Sequence, residues 1–194
     1  RGLLPLSEQG RKNISSHDLS DFLGFNHWQI RKDFSYFGSF GTPGMGYNIE
    51  KLISQIRKIL KLNVVRKAAL VGVGNLGLAV LRYPGFRVYG FEIAAAFDND
   101  LRKIGRKIGD ITVEDVSNLQ ALQKRKIDFG IITVPCEAAQ QTFDALVRAG
   151  IKGILSFSPC QKTGPEKVKV ITIDIAMDLV LLPYYTPASR ASKR

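Results

Sequence analysis

The spacing of apolar residues changes character near residue 66. Upstream, Leu19, Phe22 and Leu23, then Ile30, Phe34 and Phe37, then Ile49, Leu52, Ile53, Ile56, Ile59 and Leu60 recur every three or four positions. Such spacing predicts helices that each bury one face. Ser15-Ser16-His17-Asp18 supplies a cap for the first of these helices, which Gly24 ends. Asn26 caps the second, over residues 27–37, and Asn48 the third. Between them, Gly38-Ser39-Phe40-Gly41-Thr42-Pro43-Gly44-Met45-Gly46-Tyr47 is too glycine-rich for a helix and predicts a short hairpin, or wing.

Downstream, short continuous apolar runs alternate with helical stretches. Residues 67–71, 91–97, 128–134, 153–157 and 168–173 read as strands, and residues 137–149 as a helix. Thr112-Val113-Glu114-Asp115 is expected to begin another helix. A terminal helix follows the last strand, and Pro183 is expected to interrupt its continuation. The fold class expected is α/β: an N-terminal winged helix-turn-helix, then a Rossmann-like doubly wound parallel sheet. The expected divisions are 1–65 for the winged helix, 66–174 for the nucleotide domain, and 175–194 for a C-terminal helix and basic tail.

The most specific local signal is Gly72-Val73-Gly74-Asn75-Leu76-Gly77, directly after the first of these strands. In a dinucleotide site, Gly72 permits the tight turn and Gly74 lets the pyrophosphate approach the backbone. Gly77 allows close packing of the helix opened by Asn75 and Leu76, whose N-terminus attracts the anion. Asp98, at the end of the second strand, is placed to bind adenosine ribose hydroxyls. Its charge favours NAD(H) over NADP(H), a preference tempered by Arg102 and Lys103. Helix capping is the structural alternative for Asp98. Thr133, Val134 and Pro135 fall at the sheet edge where a nicotinamide half would lie.

No histidine follows the fingerprint, since His17 and His27 both lie upstream. Tyr47 and Lys51 have a Tyr-x-x-x-Lys spacing but precede the nucleotide segment, so no dehydrogenase pair is assembled and no catalytic residue is assigned. Cys136 and Cys160 lack the spacing of a zinc cluster, and no metal site is expected; inert thiols and a redox pair are the alternatives.

Charge sharpens the reading of the first segment. The net charge is +11, and residues 1–67 hold 11 Lys and Arg against 5 Asp and Glu, a higher density than in the remainder. A basic helix-turn-helix suits duplex DNA. Gln29 and Arg31 are candidates for reading base edges, and Lys32 for a phosphate. Ser16, His27, Ser35 and Tyr36 complete the candidate DNA set, and Trp28 reads as a packing anchor. A helical pair with solvated charges is the structural alternative. No run of about 18 apolar residues suggests a membrane span, and no signal-peptide pattern opens the chain.

The chain resembles the Rex family of redox-sensing transcriptional repressors. The resemblance is carried in order by Gln29-Ile30-Arg31-Lys32-Asp33-Phe34-Ser35-Tyr36-Phe37-Gly38, Gly44-Met45-Gly46-Tyr47-Asn48 and the glycine fingerprint. It continues through Phe97-Asp98, Ile132-Thr133-Val134-Pro135 and Ala149-Gly150-Ile151-Lys152-Gly153-Ile154-Leu155. It implies a cytoplasmic homodimer that binds operator DNA and is released when NADH rises relative to NAD+, by a population shift that separates the recognition helices from successive major grooves. It assigns Arg31 and Lys32 to the recognition helix, Gly72, Gly74, Gly77 and Asp98 to the dinucleotide, and Tyr83 and Asp174 to an interdomain switch. Read from the residues alone, Tyr83 equally packs at a helix end and Asp174 equally caps the terminal helix. This chain departs from the family pattern at Thr42-Pro43, where a basic wing is usual, at the proline-bearing residues 1–13, and at Pro183. An NAD-dependent oxidoreductase and a nonregulatory nucleotide-binding scaffold are the competing readings.

Overall fold

The computed structural model describes residues 2–38, 41–42 and 45–185. The chain forms two compact units, Arg1–Val64 and Val65–Arg194.

The first unit runs α1 (Leu3–Glu8), β1 (Asn13–Ile14), α2 (Ser16–Leu23), α3 (His27–Phe37), β2 (Gly41–Thr42), β3 (Gly46–Asn48) and α4 (Ile49–Ile59). Caps set its boundaries as the sequence predicts. Ser15 Oγ accepts from the Asp18 amide, Asn26 Oδ1 from Trp28 and Asn48 Oδ1 from Lys51, each at 2.9–3.0 Å. Gly24 closes α2 in the left-handed conformation, φ +70°. The core gathers Leu6, Ile14, Leu19, Ile30 and Ile49, with Leu23, Phe34, Tyr47 and Ile53 packed on it. Burying each of the large aliphatic members contributes about 1.5–3 kcal/mol. Phe22, Ile59 and Leu60 lie outside this core and are exposed.

Strand β3 is central in a small antiparallel sheet, pairing with β1 on one side and β2 on the other. This is the hairpin expected of a wing. Its tip, Pro43-Gly44, lies outside the described residues, as do Ser39, Phe40 and the 186–194 tail.

In the second unit, β4 (Arg66–Val71), α5 (Asn75–Arg82), α6 (Gly85–Val88), β5 (Phe91–Asp98), β6 (Lys107–Ile108) and β7 (Ile111–Asp115) are followed by a 3-10 helix, Val116–Leu122. Then come β8 (Phe129–Ile132), α7 (Cys136–Arg148), β9 (Gly153–Ser156), β10 (Lys169–Thr172) and α8 (Ile175–Tyr185). The sheet order is β10-β9-β8-β4-β5-β7-β6, parallel throughout except for the β6–β7 edge pair. This is the doubly wound order, and its reversal falls between β4 and β8. Ala68, Ala69, Leu70 and Val71 of β4 are all buried, because a central parallel strand is covered on both faces. Ala69, Val71, Phe97, Ile132, Phe143 and Leu146 fill one side, and Ala68, Leu70, Val80, Ala96 and Ile131 the other.

Two expectations are corrected. Thr112-Val113-Glu114-Asp115 lies in strand β7 rather than beginning a helix. Val113 is buried and aligned with Ala96 of β5, so the alternating β-branched residues Ile111 and Val113 outweigh the local cap signal. That signal is spent one element later: Asp115 Oδ1 accepts from the Ser117 amide at 2.8 Å and opens the 3-10 helix. Pro183 does not interrupt the terminal helix, which runs to Tyr185 with the proline inside it. Proline removes one backbone donor, and here the loss falls within the last turn of α8.

Candidate nucleotide and DNA sites

The sheet order brings the glycine turn after β4 and the segment after β8 to the same edge, at the switch point where open α/β sheets take their ligands. The two are joined. The Thr133 amide donates to Val71 O at 2.9 Å, and Thr133 Oγ1 donates to Gly72 O at 2.6 Å. Gly72 has φ +101°, a backbone state open to glycine. A Cβ on Gly77 would stand 2.0 Å from Gly72 O, so only glycine lets α5 begin this close to the turn. Gly74 differs: a Cβ there would meet nothing within 4 Å. It N-caps α5 without a side-chain hydrogen bond, leaving an open cradle at a helix N-terminus, where a pyrophosphate fits. Asn75 and Leu76 form the first turn of α5, and Leu76 is exposed.

Asp98 is buried at 4% exposure, and both its oxygens are engaged. Oδ2 accepts from the Val73 amide at 2.7 Å and from Lys103 Nζ at 3.0 Å, and Oδ1 accepts from the Asp100 amide at 2.8 Å. Burial pushes its pKa up, but the Asp100 amide, the Lys103 ammonium and the Val73 amide together hold it below the usual carboxylate value. Asp98 thus ties the glycine turn to the end of β5 and holds a fixed negative charge beside that turn. Lys103 as its partner is legible only in the fold, since the turn 100–105 folds it back. Asp100 is held at about 2 by the Arg102 guanidinium, which clasps it at 2.9 and 3.0 Å.

Beyond Thr133, Val134 O accepts from Ser158 Oγ, a residue with no local sequence signal because it arrives from the β9–β10 crossover. Pro135 N-caps α7. Tyr83 caps the C-terminal end of α5, half-exposed, with its ring edge-on to Phe86 at 5.4 Å. Asp174 Oδ1 accepts from the amides of Ala176 and Met177 at 3.1 and 3.2 Å, so it caps α8. Among the described residues, no cluster of His, Cys, Asp and Glu could hold a metal ion, and no helix is long and apolar enough to cross a membrane.

In the first unit, Ile30 and Phe34 turn one face of α3 inward, Phe34 packing edge-on against Tyr47 at 5.0 Å. The opposite face carries Gln29, Arg31, Lys32, Ser35 and Tyr36, all exposed. Gln29 Nε2 donates to Asp33 Oδ1 at 2.6 Å, and Ser35 Oγ donates to Lys32 O at 2.7 Å. Ser16 is buried, and its hydroxyl accepts from Arg31 Nε at 2.8 Å. Trp28 is 66% exposed, which corrects its reading as a packing anchor; Arg31 lies over its ring. His27 stacks on His17 at 4.2 Å. Partial burial, then the His17 and Arg31 charges, disfavour its protonated form.

Comparison with known proteins agrees with both halves. Residues 64–160 match the CoA binding domain family model, to which that half of the chain belongs. Residues 1–35 match the model described as "Putative DNA-binding protein N-terminus". The redox-sensing transcriptional repressor Rex of Chloroflexus aurantiacus is 45% identical over 186 residues, covering 95% of this chain and 88% of that protein. Rex of Carboxydothermus hydrogenoformans is 42% identical, covering 95% and 89%. RSP, a Rex-family repressor, superposes in its complex with β-NAD+ and operator DNA at a TM-score of 0.90, with 38% identity over 94% of this chain and 85% of that one. Its complex with β-NADH gives 0.86, at 37% identity over 94% and 86%. The chain belongs to the Rex family of redox-sensing transcriptional repressors.

Proposed function

We infer that the protein is a redox-sensing transcriptional repressor that holds operator DNA when NADH is scarce and releases it as NADH rises relative to NAD+. The observation that carries this reading is that one fold, matched along nearly the whole chain, holds β-NAD+ and operator DNA together in RSP. Family membership places the chain among regulators rather than dehydrogenases.

The proposed division of labour is residues 1–65 for DNA, 66–174 for NAD(H), and 175–194 for association of two copies in a cytoplasmic homodimer. In the first unit, Arg31 and Gln29 read base edges, and Lys32, Ser35, Tyr36 and His27 meet backbone or groove edges. Ser16, being buried, acts by aiming Arg31. In the second, Gly72, Gly74, Asn75, Leu76 and Gly77 hold the pyrophosphate, and Asp98 the adenosine ribose. Thr133, Val134 and Pro135 lie along the nicotinamide half, while Tyr83 and Asp174 take part in the rearrangement between units. Residues Ile175, Met177, Leu179, Val180 and Leu182 of α8 are exposed and apolar, as suits a helix that a second copy covers.

The test is selection from random duplexes, followed by titration of the enriched duplex with NADH and with NAD+ at fixed salt. Sequence-specific enrichment and NADH-selective release are expected. Equal DNA affinity at saturating NADH and NAD+ would sink the redox-sensing reading, and substrate-dependent nucleotide turnover would restore the oxidoreductase one.

A further inference from the structure

The segment that follows the nicotinamide ledge carries chemistry that nucleotide binding does not use. Strand β8 ends at Ile132, aligned with Ser156 of β9, so residues 133–136 and 157–160 leave the sheet side by side. They are fastened together: the Phe157 amide donates to Ile132 O at 2.9 Å, and Ser158 Oγ donates to Val134 O. Lys162 Nζ donates to the carbonyls of Ser158 and Cys160, at 2.8 Å each, holding the crossover in its turn. At the end of this pairing stand the two cysteines of the chain, both free. Cys136 is exposed as the first residue of α7, and the partly buried Cys160 places its Sγ 3.8 Å from Cys136 O.

We propose that Cys136 and Cys160 are a reversible dithiol switch, joined as an intrachain disulfide when the protein meets a hydroperoxide. The Cys136 side chain, then burial, push the Cys160 thiol above its ordinary pKa. That leaves exposed Cys136 as the attacking group and Cys160 as the resolving one. In the first step Cys136 sulfur bonds the distal oxygen of ROOH, the O–O bond breaks, and ROH leaves with the thiol proton. Cys136 is then a sulfenic acid, oxidised by two electrons. Cys160 sulfur next attacks Cys136 sulfur, the S–O bond breaks, and hydroxide departs with the Cys160 proton as water. Two thiols and one hydroperoxide give one disulfide, one alcohol (or water, from hydrogen peroxide) and one water.

The bridge would pin the start of α7 to the crossover, immediately beside Thr133-Val134-Pro135. This consequence rests on those residues carrying the nicotinamide half. Bound NADH then covers the approach to Cys136 and slows the reaction.

The full-length reduced protein is treated with hydrogen peroxide, with and without NADH, and followed by intact mass and non-reducing peptide mapping. The expected result is loss of about 2 Da, a linked Cys136–Cys160 peptide, and reversal by dithiothreitol. Cys160→Ser, which should bind NADH as the reduced parent does, is expected to accumulate a sulfenic acid that dimedone traps at Cys136. Persistence of both thiols, independent oxidation to sulfinic acids, or bridging only between separate chains overturns the proposal. NADH is expected to slow bridging at least about threefold. NADH that binds by calorimetry without slowing it overturns the coupling to the ledge. A bridge that forms in a protein binding no NADH leaves the switch standing and removes the nucleotide reading instead.

Discussion

Arg31 is held by Ser16 across the turn between α2 and α3: the guanidinium Nε donates to the buried hydroxyl at 2.8 Å, and the group lies 5.6 Å from the centre of the Trp28 ring. The bond uses Nε, whereas the terminal nitrogens are the end of an arginine that pairs with a guanine edge. Arg31→Ala is therefore expected to weaken specific DNA binding by about 1–3 kcal/mol, on the order of tenfold or more. Ser16→Ala should lose less, and neither should change NADH affinity. Fluorescence anisotropy with a specific and a scrambled duplex checks this; loss of NADH binding in Arg31→Ala would contradict the assignment.

Lys32 is exposed on the outer face of the same helix. Raising salt should weaken DNA binding through release of counterions from phosphates. Lys32→Ala should weaken specific and nonspecific duplexes alike and reduce the slope of log K against log salt by about one. An unchanged slope would remove Lys32 from the phosphate contacts.

Gly74 and Gly77 differ in the space around them, so on the proposed reading their substitutions act differently. At Gly74 an added methyl meets no protein atom within 4 Å, and φ is an ordinary −85°. Gly74→Ala should therefore leave the melting temperature within a degree or two while lowering NADH affinity about tenfold or more, because the methyl occupies the pyrophosphate's approach. At Gly77 the methyl would stand 2.0 Å from Gly72 O. Gly77→Ala should destabilise the fold by roughly 1–3 kcal/mol as well as abolish binding. Thermal melts paired with calorimetry distinguish the two; equal melting temperatures would refute the contact.

Asp98 makes an acid-side prediction. Its folded-state pKa lies below the unfolded value, so the stability it contributes is present above the unfolded pKa, near 3.8. That contribution is lost as pH falls through the lower folded value. Asp98→Asn turns an amide NH2 toward a set made entirely of donors (Val73, Asp100 and Lys103) and is expected to cost about 1–3 kcal/mol at neutral pH. The difference in stability between parent and variant should shrink as pH is lowered from 5 toward 3. Urea melts across that range measure it, and a pH-independent difference would assign the loss to packing instead.

Most of the frame is legible from periodicity and caps, because each depends on residues a few positions apart. Ser15, Asn26 and Asn48 open their helices as expected, and the glycine fingerprint follows a strand as its chemistry requires. The misreading at Thr112-Val113-Glu114-Asp115 has a definite cause. Asp115 does cap a helix, but the residues before it answer to β5, far away in sequence. The site divides the same way. Gly72, Gly74 and Gly77 are visible as a motif, whereas Ser158 against Val134, Lys103 on Asp98 and the burial of Ser16 exist only once the chain has folded. Trp28 misleads for a related reason: its size suggests a core residue, yet it stands on the outer side of α3, opposite Ile30 and Phe34.

The bonds from Val73 to Asp98 and from Thr133 to Gly72 brace the glycine turn from two sides, against the end of β5 and against the segment after β8. On the proposed reading, that turn meets the part of the dinucleotide that is the same in the oxidised and the reduced cofactor. Telling the two apart would then fall to the nicotinamide end. Tightness of grip and sharpness of response would then be housed in different residues, and the NADH level at which DNA is released would be tunable without loosening the hold on the nucleotide.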